Sequence, residues 1–285
     1  VSKSGQRRLY AKLKEIIVMI LAIDMGNTNI KIGVVDTIDN IIEERVTTDK
    51  NKSSLEYGQD IQAVLNFHHI PVDAIDGAIL SSVVPSLTGV VETAVRKSIG
   101  VQPVIVNCNM KMDIKLNKFQ YPKGIGPDLI VGMEAAHYYY KSPCISVNMG
   151  TATTITLVDG DGEYCGGAIM PGMKTSLDAL IDNCAMLPEI SLEDPGYVIS
   201  QNTVHCIRGG IIYGNAGQVD GIIERIEAEL GEKCNIVATG GMARFVVQYC
   251  KNADRIVRDD GLLMKGMLRL YELNKNEQGC GRINE

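Results

Sequence analysis

Residues Leu21 to Asp36 read Leu-Ala-Ile-Asp-Met-Gly-Asn-Thr-Asn-Ile-Lys-Ile-Gly-Val-Val-Asp. Short apolar runs on either side of a polar Gly-Asn-Thr-Asn segment predict strand, tight turn, strand. The pattern returns at Ile145 to Asp159, Ile-Ser-Val-Asn-Met-Gly-Thr-Ala-Thr-Thr-Ile-Thr-Leu-Val-Asp, with Met-Gly and both flanking strands in register. Asp24 then corresponds to Asn148 and Gly26 to Gly150, 124 residues on. Repetition at about domain length predicts two similar halves, each presenting a polar turn.

Glycine lets such a turn bend sharply and bring amide N–H groups close to an anion. The hydroxyls of Thr28, Thr151 and Thr153 and the amides of Asn27 and Asn29 add donors. A carboxylate at Asp24 would repel a phosphate, so it suits a cation or its water. Either turn alone could be an ordinary hairpin. The matched pair favours a nucleotide-phosphate clamp with the turns facing across a cleft.

A chain of 285 residues is long enough for two domains. Hydrophobic residues at 45% and charged residues at 22% are globular in character. A net charge of −6 and a pI near 5.4 argue against a general nucleic-acid surface. No apolar run reaches the roughly 20 residues that span a bilayer. The eight cysteines include no Cys-x-x-Cys and no zinc spacing with the four histidines. They read as reduced core residues, which predicts a cytoplasmic protein. Residues 1–18 are basic and precede Met19, as an upstream extension or alternative start would.

Along the chain, Ile41 to Thr47 predicts a third strand and Ser53 to His69 a helix with Leu55, Ile61, Val64 and Leu65 as its apolar stripe. Gly77 to Val84 predicts a buried strand, Thr88 to Ile99 a helix and Pro103 to Asn107 a strand. This alternation is α/β. Tyr121 to Leu129 is a Gly/Pro loop opening a helix through Tyr140, so Asp128 falls in its first turn, where an acid is stabilising without any function. Gly166 to Gly172 reads as a glycine-rich bend into a helix at Met173–Ile181, either capping a phosphate or allowing close packing. Leu187 to Asn202 reads as a surface excursion. Thr203–Tyr213 and Gln218–Leu230 read as two helices, and Cys234–Thr239 as a strand. Thr239-Gly240-Gly241 opens a helix, where paired glycines admit a flat ring or simply make a turn. Ile256-Val257 is a short last strand and Leu262 to Leu273 a closing helix. The polar segment Asn274–Glu285 reads as a mobile tail.

From Met19 to about Leu273 the sequence resembles the type III pantothenate kinases of the actin, Hsp70 and sugar kinase superfamily. The resemblance lies in Asp24-Met25-Gly26-Asn27-Thr28-Asn29, Ser81-Ser82-Val83-Val84-Pro85, Gly150-Thr151-Ala152-Thr153-Thr154, Gly166-Gly167-Ala168-Ile169-Met170-Pro171-Gly172, Gln201-Asn202-Thr203 and Thr239-Gly240-Gly241. It implies an α/β fold of duplicated actin-like ATPase (ribonuclease H-like) halves, 19–141 and 142–273, with the nucleotide cleft between them. It also implies ATP-dependent phosphorylation of pantothenate, the entry to coenzyme A. Asp24, Met25, Gly26, Asn27, Thr28, Asn29, Ile30 and Lys31 would form the first phosphate segment, with Asp24 near Mg2+, and Thr151 would contact ATP. Tyr121, Gly126, Pro127, Asp128 and Leu129 would hold pantothenate, with Asp128 as base. Thr203 would reach the site of a second subunit, implying a homodimer.

Two positions depart from the family pattern. The loop reads Gly126-Pro127-Asp128-Leu129 where the family has Gly-Ala-Asp-Arg, leaving Lys123 as the candidate partner for the pantothenate carboxylate. Asn148 stands where a family aspartate ligates a monovalent cation, K+ or NH4+. A pantothenate kinase is therefore expected, against a kinase with another acceptor or a nucleotide-binding regulator. No Gly-x-Ser-x-Gly hydrolase elbow occurs.

Overall fold

The computed structural model describes residues 19–276. The expectation for 1–18, and most of that for the tail, lies outside these residues. Two compact units form: one of residues 19–112, Lys123–Val131 and 263–276, the other of Asp113–Pro122 and Gly132–Leu262.

The first unit is built on a sheet ordered β3-β2-β1-β4-β5, from β1 (Ile20–Met25), β2 (Asn29–Thr37), β3 (Asn40–Thr47), β4 (Gly77–Ser82) and β5 (Pro103–Ile105). β1 pairs antiparallel with β2 and parallel with β4. Leu21, Ile23 and Met25 alternate onto one face with Ile30, Ile32 and Val34 of β2. There they meet helices α1 (Ser54–Phe67) and α2 (Pro85–Ile99) through Tyr57, Ile61, Leu65, Val91 and Val95. Ser53 and Glu56 close a capping box at the start of α1, worth about 1 kcal/mol. Leu55 does not join the stripe and is 70% exposed. It lies two positions from Tyr57, about 200° round the helix. α2 starts at Pro85, three residues earlier than expected, because proline suits the first helical position.

The other face of this sheet lies against the helix Leu262–Asn274, the last among the described residues. Met264 sits over Gly33, and the Tyr271 ring occupies the space above Gly77. Asn274, expected in the mobile tail, is 1% exposed. Its Oδ1 accepts the Lys111 N–H at 2.9 Å and its Nδ2 donates to the Lys111 carbonyl at 2.9 Å.

The second unit repeats the topology. Its sheet runs β8-β7-β6-β9-β10, from β6 (Cys144–Met149), β7 (Ala152–Val158), β8 (Tyr164–Pro171), β9 (Asn235–Thr239) and β10 (Ile256–Arg258). β6 pairs antiparallel with β7 and parallel with β9, as β1 does with β2 and β4. Ile145, Val147, Met149 and Ile155 pack on helices α4 (Met173–Asn183) and α5 (Thr203–Leu230). The duplicated α/β architecture read from the two hairpins is present.

Several local expectations are corrected. Gly166 to Pro171 is not a bend but most of the edge strand β8; a side chain at Gly167 would collide with the Ile155 carbonyl, so glycine is the residue that permits the strand. Thr203–Tyr213 and Gln218–Leu230 are one helix of 28 residues. Asn215 bonds back to the Ile211 carbonyl at 2.7 Å, and packing of Ile211, Ile212, Ala216 and Val219 into the second core carries the helix past Gly214 and Gly217. Helix α6 starts at Ala243, not at the paired glycines, and ends at Val246. Cys165, Cys184 and Cys206 are exposed rather than core, whereas Cys144, Cys234 and Cys250 are buried.

Candidate active site

In the first unit, β1 ends in Met25 and the turn opens at Gly26, whose N–H donates to the Asn29 carbonyl at 3.0 Å. Thr48 braces the turn, its hydroxyl on the Gly26 carbonyl at 2.7 Å and its N–H on the Thr28 carbonyl at 3.0 Å. Asn27, Thr28 and Asn29 are exposed. Met25 and Ile30 send their side chains into the core, so only their backbone is available to a ligand.

Asp24 lies between two strands, opposite Lys31 on β2 and Ser81 on β4. The Ser81 hydroxyl donates to Asp24 Oδ1 at 3.2 Å, and Lys31 Nζ is 3.8 Å from Glu43. Protein packed around the Asp24 carboxyl drives its pKa up to about 6; Lys31 and Ser81 oppose the shift, and the charge of Asp128 adds to it. Although part of Asp24 reaches solvent, it is partly desolvated and senses a second carboxylate of the same unit.

That second carboxylate opens helix α3 (Pro127–Tyr140). The Gly126 carbonyl accepts the N–H groups of Leu129 at 3.0 Å and Ile130 at 3.2 Å, winding the first turn. A Cβ on Gly126 would lie 2.5 Å from Asp128 Oδ1, so the carboxylate folds back over a position that has no side chain. Burial raises the Asp128 pKa, against backbone N–H donation from Leu129 and from Asp128 itself. Pro127, Asp128 and Leu129 are half-buried and Lys123 is exposed.

In the second unit, the turn after Met149 is one residue shorter, so the second strand falls one position out of the expected register. Met149 pairs with Thr153 where Met25 pairs with Ile30, and the Gly150 N–H bonds the Ala152 carbonyl at 2.9 Å, two positions on rather than three. The Thr151 carbonyl accepts the Gly172 N–H at 3.0 Å and the Thr175 hydroxyl at 2.7 Å, tying the turn to the start of α4. Thr151 is exposed and Thr153 buried. Asn148 is in register with Thr239 on β9. Thr239 is fully buried and its hydroxyl oxygen has no partner. Gly240, at φ +95°, turns the chain so tightly that any Cβ there would strike the Met149 backbone. Tyr121 is 69% exposed. Thr203 is exposed at the start of α5, where the Asn202 side chain caps the helix through the His205 N–H.

In the first unit the charges of Lys31 and Asp128 both act on the Asp24 carboxyl. Ser81 as a partner of Asp24, Glu43 as a partner of Lys31 and the orphan hydroxyl of Thr239 were not assigned from sequence. Each depends on strand register. The oxygens suit the cations implied: Asp24 spends one on Ser81 and would lose its unfavourable charge interaction beside a cation. Asn148 and Thr239 supply neutral oxygens on one face of their sheet. Among the described residues, no group of three or more His, Cys, Asp or Glu residues forms a metal site of its own.

Two units of one topology, each with a phosphate-type turn after its first strand, and paired carboxylates in the first, define an actin-like kinase. A solved ROK family glucokinase from Streptomyces griseus, in complex with glucose and AMPPNP, shares the fold at a TM-score of 0.52 and 12% identity, covering 90% of this chain and 98% of that one. The family model for type III pantothenate kinase matches residues 20–225. The type III pantothenate kinase of Moorella thermoacetica is 39% identical over 90% of this chain and 100% of its own length. That of Pelobacter propionicus is 37% identical over the same shares. The chain belongs to the type III pantothenate kinase family.

Proposed function

We propose that the chain transfers the γ-phosphoryl group of ATP to the primary hydroxyl of pantothenate, giving 4′-phosphopantothenate at the entry to coenzyme A synthesis. The observation that carries this reading is that one unit of a family member holds two carboxylates, Asp24 and Asp128, each with its pKa raised by burial. Phosphoryl transfer needs positioning and charge neutralisation more than covalent help. Asp128 accepts the proton of the attacking hydroxyl, a task suited to a carboxylate with a raised pKa. Asp24 holds Mg2+, which when bound neutralises phosphate charge. Backbone N–H groups of Gly26 to Lys31, with Thr28 and Thr151, hold the phosphates. Tyr121 and Gly126 to Leu129 hold pantothenate, and Lys123 takes over the pairing with its carboxylate that Leu129 does not offer.

Asn148 and the Thr239 hydroxyl form a monovalent-cation site of neutral oxygens, weaker for K+ or NH4+ than one with a carboxylate. Thr203 reaches the acceptor site of a second copy, and the working unit is a homodimer in the cytoplasm. On this reading neither nucleic acid nor a membrane is a partner.

The test is ADP release by the purified protein with ATP and Mg2+, with and without pantothenate, in potassium and in sodium buffers. Pantothenate-dependent release is expected, with little preference for potassium. Release that ignores pantothenate would be transfer to water and would refute the reading. ATP or pantothenate binding without turnover would favour a different acceptor, a reading supported by the apolar Leu129 beside Asp128, or a regulator.

A further inference from the structure

Between Ile114 and Tyr121 the chain has no regular element, yet Lys115, Asn117, Lys118 and Phe119 fasten it to the turn joining β7 and β8 and to the start of β8. The Lys115 N–H donates to the Gly162 carbonyl at 2.8 Å, and the Lys115 carbonyl accepts the Tyr164 N–H at 2.8 Å. Lys118 Nζ is 2.5 Å from Asp159 Oδ2. The Phe119 ring lies 4.9 Å from that of Tyr164. At the centre is Glu163, only 9% exposed. Both its oxygens serve one residue: Oε2 accepts the Asn117 N–H at 3.1 Å and Oε1 accepts the Asn117 side-chain amide at 2.9 Å.

A tight turn closes without a buried carboxylate reaching to a segment 46 positions away in sequence. Asp159 already organises this one, accepting the N–H groups of Asp161 and Glu163 at 3.0 Å each. The reach of Glu163 is therefore directed at the other segment. Tyr121 follows Phe119 by two residues, about 7 Å of extended chain, so where Asn117 and Phe119 are held limits where Tyr121 can stand.

We propose that Glu163, supported by the Asp159–Lys118 ion pair, is a positioning residue for the acceptor: it fixes residues 115–119 and thereby Tyr121, setting affinity for pantothenate rather than the rate of transfer. The inference rests on the functional reading above, in which Tyr121 touches the acceptor. A carboxylate bonded to two donors of one residue holds it in place and orientation, and its loss leaves both donors without their partner.

The experiment compares wild type, Glu163→Ala, Glu163→Gln and Asn117→Ala in steady-state kinetics, varying each substrate, alongside thermal melting. Glu163→Ala is expected to raise KM for pantothenate about tenfold, with KM for ATP and kcat within about twofold. Glu163→Gln, which keeps one acceptor, should fall between. Asn117→Ala removes the side-chain bond from the opposite side and should move the same parameter if Glu163→Ala does not fold. A lower melting temperature with both KM values unchanged, or a fall in kcat with an unchanged pantothenate KM, would overturn the proposal. A wild type that neither turns over nor binds pantothenate would overturn the functional reading, and this inference with it. Wild-type turnover with an unmoved variant KM would overturn the inference alone.

Discussion

Replacing Gly126 by alanine separates the placement of Asp128 from the stability of the helix that carries it. The new Cβ would lie 2.5 Å from Asp128 Oδ1. A carbon and a carboxylate oxygen need roughly 3.3 Å, so the carboxylate must retreat by nearly 1 Å. The obstacle is the end of a side chain, so Asp128 can rotate away without shifting the backbone. Displacement of about 1 Å can cost about a hundredfold in rate, and kcat for pantothenate-dependent ADP release should fall by that order. Folding should not suffer, because alanine restricts the unfolded chain more than glycine does, contributing roughly 0.4–1 kcal/mol where the backbone is compatible. Activity and melting temperature therefore move apart. With Asp128→Asn also present, Gly126→Ala should cost nothing further, since both act through one group. Undiminished kcat in Gly126→Ala, or full additivity in the double variant, would refute the reasoning.

Asp128→Asn by itself should lower kcat by about 10²–10⁴ while MgATP binding, measured by calorimetry, is retained. Asp24, with its pKa up at about 6 against 3.8 in the unfolded chain, binds its proton more tightly when folded; its contribution is present below about pH 4 and lost as pH rises through about 6. Asp24→Asn should therefore stabilise the ligand-free protein at pH 7 by up to about 3 kcal/mol in urea titrations while abolishing turnover, and a less stable variant would refute this account. Glu227 shows the opposite sign. Despite burial, Arg255 and Lys233 hold its pKa down at about 2, so its contribution is present above about pH 4.5 and lost towards pH 2. Glu227→Gln should cost roughly 3 kcal/mol at pH 7 and flatten the acid limb of stability between those values.

The two hairpins and their correspondence were legible because alternation, turn residues and a repeated Met-Gly survive in one dimension. Asp24 was legible as a candidate because it stands beside a glycine turn; Asp128 was a candidate only through the family resemblance, since an acid in a first helical turn is stabilising without any function. The continuity of α5 was not: Gly214 and Gly217 resemble breakers, and it is the packing of Ile211, Ile212, Ala216 and Val219 into the second core that carries the helix past them. The strand through Gly166 and Gly167 was hidden for the opposite reason, as Gly167 answers a neighbour approaching from β7 and Gly166 takes a φ of +99°. Ser81, Glu43 and Glu163 were invisible as partners because what they bond to is set by register between distant segments. Glu134 belongs with them. It is fully buried in α3 and accepts the N–H groups of Asp113 and Ile114, a role that nothing in the local sequence marks.

The closing helix, Leu262–Asn274, packs on the first sheet through Met264 and Tyr271, with Asn274 tied to Lys111 beyond its last strand. On the ribosome, the strands of that sheet emerge early, and α1 and α2 can cover one of their faces while the rest is still being translated. The opposite face must wait for residues 262–274. Until they emerge, a nascent chain carries an uncovered apolar surface, and a message cut short before Met264 would yield a product that never covers it. Such a product would be matter for chaperones and proteases, so the first unit is completed only once its covering helix has been made.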